Sequence, residues 1–517
     1  MLNRTIYFHF KFSFLFFVMA LFFGFFYSLN LLGYGSELLN PTYALSLHIS
    51  LMLYGFPSLM LSMLPFALFN KDKLEDEKGA YYLNLYFIVW YIFLIFMIMS
   101  LLFGNQRGLV FYDYPYELNF LLAFSGLFFL LSILRYISHY KVKPLWVKVS
   151  LATVILAPFL LVLLMNPEYG QVENMAMGPH GDNTLGMSFA LLVFYYLVIK
   201  LHSKIEFRSR FNWLWIVPMV AYVISVFYRM FIGSLSYEEE WFLQWLTFLY
   251  IPTLYFWFKD AKLNIKENMF LYISILSFLF VDIEGNILFI PEIRELFHRN
   301  DLVVGHAHIA VGISMLFLSF SVVKSYFNIN NKMILLWASM LILMAGALSL
   351  SGFAQAGFIP LETSNMWILR SFYGFLLLCL VLFFYLFNFK LKTFSKLEFY
   401  HLSGFMTDGL GAIFLLLFAP FVYKILGIEY SIGYQSVVYG FMLAIGIMHF
   451  LGYINKEWAT PMAIATAISR IIVSAIFFAL YKVGTLDWIA LGVSIYDLIY
   501  AFIYILFLYN REKNEIS

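Results

Sequence analysis

The chain has 517 residues, of which 63% are hydrophobic and 12% charged, with a formal net charge of +2. A soluble globular domain carries about 25% charged residues, so water is not the main solvent of this fold, and with no basic patch nucleic acid is not a partner. The single cysteine, Cys379, excludes a disulfide framework and a cysteine-based zinc site.

Apolar runs of about 18 to 25 residues recur along the chain, each long enough to cross a hydrocarbon core of about 30 Å. They predict about sixteen spans, at 11–33, 43–69, 82–104, 118–137, 149–166, 184–200, 212–233, 242–258, 268–290, 302–325, 333–353, 366–388, 408–426, 434–454, 461–481 and 487–509. The first lacks a small-residue cleavage site and reads as a retained span. Lys and Arg gather in alternate loops: Lys71, Lys73 and Lys78; Arg135, Lys141 and Lys143; Lys200, Lys204, Arg208 and Arg210; Lys259, Lys262 and Lys266; Lys390, Lys392 and Lys396. Those loops face the cytoplasm by the positive-inside rule, which puts both termini there too. The expected fold class is all-α, a polytopic transmembrane helix bundle in a lipid bilayer.

Ten histidines occur. His9, His139, His202, His298 and His401 fall in or beside loops and read as interfacial residues. His48 lies a turn or two inside the span at 43–69, and His306 and His308 lie just inside the span at 302–325. Both spans run in the same direction by the charge rule, so the three imidazoles share one depth. A polar residue at membrane depth is costly to desolvate and so is a candidate functional site. Two residues along a helix turn through about 200°, so His306 and His308 point to opposite faces and cannot share one small metal ion. Imidazole is a common axial ligand of heme iron, and such a pair can serve two hemes, one on each side of the helix.

The segment DIEGNILFIPEIRELFHRNDLVVGHAH carries the acidic-Gly step Glu284-Gly285, then His298, then Asp301 and, four residues on, Gly305-His306-Ala307-His308. Together with His48, with LSGFAQAGF and with Arg370, it resembles subunit I of the heme-copper oxidases, closest to the cbb-type (C-family) cytochrome c oxidases, with the nitric oxide reductases next. The resemblance covers about residues 10 to 390. It implies a twelve-helix core over 1–395 that holds two b-type hemes, His48 and His308 clamping a low-spin heme iron and His306 holding a high-spin one. It also implies respiratory electron transport in a bacterial inner membrane, a cytochrome c-type or other electron donor, possible accessory subunits, and O2, NO or CO as diatomic ligand.

The copper site of that family departs here. Aligning Gly181 and Asn183 with the Gly-His-Asn step puts Asp182 where the histidine belongs, with His180 two residues upstream. Further on, Phe227, Tyr228, Gly233 and Ser234 stand where a tyrosine and a His-His pair belong. No complete copper site results, since such a site needs three histidines, and copper is expected to be absent. Asp182 and Glu284, with Asp282 beside the latter, are the candidate proton-handling residues. The primary expectation is a diheme b-type cytochrome passing electrons between its hemes, as an oxidoreductase that reduces O2 or NO. The alternative is a gas or redox sensor or heme-handling protein that binds without turnover.

Residues 396–517 add four spans of no assigned role. Arg470 and Asp497 fall at comparable depth in two of them and are expected to pair, since an isolated charge there costs several kcal/mol. Asp408 and His449 read as interfacial.

Overall fold

The computed structural model describes residues 2–34, 40–108, 113–152, 155, 182–297, 300–388, 395–426, 428–486 and 488–505. Among these the structure is helical throughout, with no strand. In hydrocarbon every backbone N–H and C=O must be satisfied within the segment, which leaves the helix as the form for an isolated span. Among the described residues eleven helices are long and apolar enough to cross a membrane, and three shorter apolar helices accompany them. The protein is an integral membrane protein.

In chain order the helices are α1 (Leu2–Leu31), α2 (Pro41–Lys71), α3 (Glu77–Leu102), α4 (Tyr116–Ile137), α5 (Asp182–His202), α6 (Trp213–Phe231), α7 (237–260), α8 (Met269–Leu288), the short α9 (Pro291–Phe297), α10 (Asp301–Tyr326), α11 (Asn331–Gln355) and α12 (Thr363–Asn388). The remaining helices are α13 (396–426), α14 (Ile432–Ile454), α15 (Lys456–Lys482) and α16 (Trp488–Ile503). Fifteen of the sixteen expected spans coincide with these helices, and the expected span at 149–166 lies almost wholly outside the described residues. The chain divides into two compact units, one of residues 1–32 with 41–389 and one of 33–40 with 390–517.

Local signals set the helix starts. Asn300 accepts from the Leu302 N–H at 2.9 Å to open α10, and Asn330 accepts from the Met333 N–H at 2.9 Å to open α11. Ser395 and Glu398 form a reciprocal capping box at the start of α13. That box begins α13 twelve residues before the expected 408, because His401, Ser403, Thr407 and Asp408 dilute the hydropathy of a segment that is nonetheless helical. Three π turns interrupt spans internally, at Leu51–Gly55 in α2, Ala310–Met315 in α10 and Phe405–Leu410 in α13. Such turns occur preferentially at functional sites.

In the larger unit α1 packs on α2 and α12, and α11 packs between α10 and α12. The core between them is aromatic. Phe10, Phe14, Phe17, Phe56, Phe270 and Phe320 are fully buried, with ring centroids 5.5 Å apart for Phe17 and Phe56, 4.9 Å for Phe56 and Phe320, and 5.3 Å for Phe270 and Phe320. Lipid is as apolar as these rings, so their contribution is close packing rather than escape from solvent. Each well-oriented pair adds about 0.5–1.5 kcal/mol.

Candidate functional site

His48 and His308 face each other across α2 and α10. Their ring centroids are 6.0 Å apart and their planes lie within 25°. Each ring is held by a backbone carbonyl: the His48 Nδ1–H donates to Ala20 O of α1 at 2.8 Å, and the His308 Nδ1–H donates to Val304 O one turn back at 2.7 Å. A carbonyl only accepts, so both rings are fixed as Nδ1–H tautomers with the lone pair on Nε2. Among the described residues neither Nε2 has a hydrogen-bond partner. Donation of the second ring nitrogen to a carbonyl is the usual support of a metal-bound histidine.

Both histidines precede a π turn, His48 by three residues and His308 by two. The extra residue in each turn shifts the helical phase, so the turn presenting the imidazole is rotated relative to the rest of its helix. Close approach is arranged by glycine. A Cβ at Gly24 of α1 would lie 2.5 Å from His48 Nδ1, so only glycine leaves room for that ring against α1. A Cβ at Gly305 would lie 2.9 Å from both Ala345 O and Ser349 Oγ of α11, which explains why the residue before His306 is glycine.

His306 points elsewhere, as the helical phase requires. Its Nδ1 lies 3.1 Å from Glu284 Oε2 on α8, and Gly285 beneath it leaves the ring open, since a Cβ there would sit 3.4 Å from His306 Cε1. Asp282, two residues before Glu284, is buried with Oδ2 unpartnered. Asn286 on the same helix donates to Thr247 Oγ1 of α7 at 3.1 Å. The Glu284 side of α8 thus meets an imidazole, and its Asp282 and Asn286 side forms a second polar layer against α7.

Asp301, at the start of α10, gathers three donors on Oδ2: Ser351 Oγ at 2.6 Å, Gln355 Nε2 at 2.9 Å and Trp367 Nε1 at 2.7 Å. It thereby ties α10 to α11 and α12 near the histidines. Arg370, one turn along α12 from Trp367, lies within electrostatic reach of His48 and His308. It is 7% exposed, and its Nε and Nη2 have no hydrogen-bond partner among the described residues. A buried guanidinium with two free donors is shaped for a carboxylate.

These features fit a flat metal cofactor carrying carboxylates. Metal–imidazole bonds of about 2.0 Å put the two Nε2 atoms about 4 Å apart, and the rings add roughly 2 Å more between centroids, near the observed 6.0 Å. His306 has a carboxylate to orient it and an open side. No group of three or more His, Cys, Asp or Glu able to hold a metal ion occurs among the described residues. His180 and His298 lie outside them; Asp182 begins α5, but its side chain lies outside the description as well.

Several residues read as interfacial are buried. His9 is 2% exposed, with Tyr91 Oη 3.0 Å from Nδ1 and Asn84 Oδ1 2.9 Å from Nε2. His401, His449 and Asp408 are 0%, 0% and 6% exposed and meet inside the smaller unit. The reason is the early start of α13, which carries His401 and Asp408 into the bundle.

No protein-family model matches this chain, and no curated protein does. Among solved structures it is similar to a chain of a heme-copper terminal oxidase dimer determined by cryo-EM, with a TM-score of 0.52 and 12% identity over 74% of this chain and 82% of that one. At that identity the likeness establishes a shared fold.

Proposed function

We propose that the chain is a diheme b-type membrane cytochrome with a heme-copper oxidase-like fold. The observation that carries the reading is the pair of Nδ1-anchored imidazoles, His48 and His308, facing one another 6.0 Å apart, with a third, oppositely directed imidazole, His306, on a carboxylate. When bound, the hemes would supply one-electron storage and, at the one held by His306, a coordination position for a diatomic gas.

The chain's own residues do the rest. Ala20 O and Val304 O hold His48 and His308 in the tautomer whose Nε2 can ligate. Glu284 accepts from His306 Nδ1 and so keeps its Nε2 a strong donor to a metal. Arg370 would meet a cofactor carboxylate beside the His48 and His308 pair, and Asp301 ties α10 to α11 and α12. Asp282 and Glu284, at the depth of His306, and Asp182 would be the candidate proton-handling carboxylates of such a site.

The test is heme analysis of the full chain purified in detergent, by pyridine hemochrome and by reduced-minus-oxidised spectra with and without CO. Two b-type hemes per chain, one of them binding CO, are expected; a heme-free protein overturns the reading. Oxygen or NO consumption by reduced membranes then separates a reductase from a sensor or heme-handling protein, which would give a stable gas complex without turnover.

A further inference from the structure

The smaller unit buries five ionisable side chains in contact with one another. Arg470 of α15 donates through Nη2 to Asp408 Oδ2 of α13 and through Nη1 to Asp497 Oδ1 of α16. Its guanidinium also lies 4.1 Å from the Tyr500 ring centroid and 5.4 Å from that of Tyr496. His449 of α14 is wholly buried, its Nε2 3.7 Å from Asp408 Oδ2. Its Nδ1 is 3.3 Å from His401 Nδ1, and His401 Nε2 is 2.7 Å from Ala459 O. Thr407 Oγ1 lies 3.4 Å from Asp408 Oδ1, and the Tyr400 ring packs 5.2 Å from that of His449.

Two separate counts say that this cluster holds one proton more than its ordinary ionisation states supply. The first is charge: one guanidinium faces two carboxylates, which leaves one negative charge in a medium where an unpaired charge is costly. The second is hydrogen-bond direction. Ala459 O only accepts, so His401 Nε2 carries a hydrogen, and a neutral His401 then offers a bare Nδ1. His449 Nδ1 must donate to it, which leaves the His449 Nε2 lone pair facing the Asp408 carboxylate, acceptor against acceptor. Nε2 has no hydrogen-bond partner. If His401 instead bore both hydrogens, the His449 hydrogen would move to Nε2 and satisfy Asp408, again at the expense of one added proton.

We propose that His449 and Asp408 form an intramembrane protonation site that takes up one exchangeable proton from water. The proton adds to the lone pair of His449 Nε2, and the imidazolium faces the Asp408 carboxylate 3.7 Å away; no covalent bond between heavy atoms forms or breaks. The contacts run inward from a helix end. His401 lies five residues inside α13 and Ala459 three inside α15, whereas Arg470 lies eleven residues further along α15, about 16 Å at 1.5 Å per residue. His401, His449, Asp408 and Arg470 thus connect the end of the bundle to its interior. The π turn Phe405–Leu410 is what aims Asp408 into this line.

The experiment is pH-stepped infrared difference spectroscopy of the full chain in lipid, with and without 15N-histidine. The pH is stepped from about 9 to about 4, a range that brackets ordinary imidazole and carboxyl values. The expected result is one proton per chain more in wild type than in His449→Gln, seen in the wild-type-minus-variant difference as an isotope-sensitive imidazole band coupled to a carboxyl band. Asp408→Asn, which keeps the side chain's size, carries the same readout should the first variant not fold. No difference in proton uptake or in the imidazole and carboxyl bands between wild type and either variant over that range would overturn the proposal.

Discussion

The two polar clusters inside this membrane protein are built from similar parts and end in different states. Around α2 and α10, the His48 and His308 imidazoles are anchored by one ring nitrogen while the other meets no partner among the described residues. Around α13 to α16, two carboxylates, a guanidinium and two imidazoles meet one another, and among the described residues His449 Nε2, facing Asp408, and Arg470 Nε have no hydrogen-bond partner. Each cluster has a π turn at the residue that matters, after His48, after His308 and around Asp408. As a cytochrome site the first cluster would hold something from outside the chain, and as a protonation site the second would hold itself together around one proton.

The largest effect that would break this contrast is expected at Arg470. Arg470→Ala leaves Asp408 and Asp497 buried without their cation, and removing one member of a buried charge set costs about 3–5 kcal/mol. Thermal unfolding in detergent should show the full chain severely destabilised. Neutralising all three together, with Asp408→Asn, Arg470→Met and Asp497→Asn, should recover most of that loss. A triple variant as unstable as the single one would mean that packing, not charge, is what Arg470 supplies.

His48→Ala should have the reverse profile, a large loss of ligand with a modest loss of fold. The side chain makes one hydrogen bond, to Ala20 O, worth about 1 kcal/mol, so the melting temperature should move little while bound heme falls from two to one per chain. Unchanged heme content with an unchanged low-spin spectrum would remove His48 from the site.

These two clusters also differ in how far the sequence revealed them. The His48, His306 and His308 set was legible because its members sit on short motifs at one depth, and because a two-residue helical step separates the faces of His306 and His308 without any knowledge of neighbours. The sequence was silent on the supports: Ala20 acts through its carbonyl, and Gly24 through the absence of a Cβ, neither of which leaves a trace in hydropathy. In the second cluster the depth of Arg470 and Asp497 predicted their pairing, and the structure contains it. Asp408 escaped because the polar residues that build the site lower the hydropathy of α13 and pushed its expected start to 408; His449 lay inside its expected span but near its end, and read as interfacial. Their partners are 62 and 48 residues away, and periodicity along one helix cannot say which other helix it will meet.

The smallest expected effect comes from a third cluster of the same residue types outside the spans. Asp76, at the N-terminus of α3, accepts from the Gly79 N–H at 2.6 Å, from Arg135 Nη2 at 2.9 Å and from His139 Nε2 at 2.9 Å. Burial alone would raise its carboxyl, but the hydrogen bonds from His139, Gly79 and Arg135 outweigh it and hold the value down to about 2. A depressed folded-state value means that the carboxylate stabilises the fold fully above its ordinary value of 3.8 and ceases to do so as pH falls through about 2. Arg135 and His139 are 45% and 42% exposed, so solvent screens the ion pairs and the helix cap is the main contribution, about 1 kcal/mol. Asp76→Ala should therefore lower the melting temperature slightly at neutral pH, and the gap from wild type should close as the buffer approaches pH 2. A gap as large as that of Arg470→Ala would mean that an Asp, Arg and His set is equally costly to break in water and in the membrane interior, and burial would then not be what separates the two.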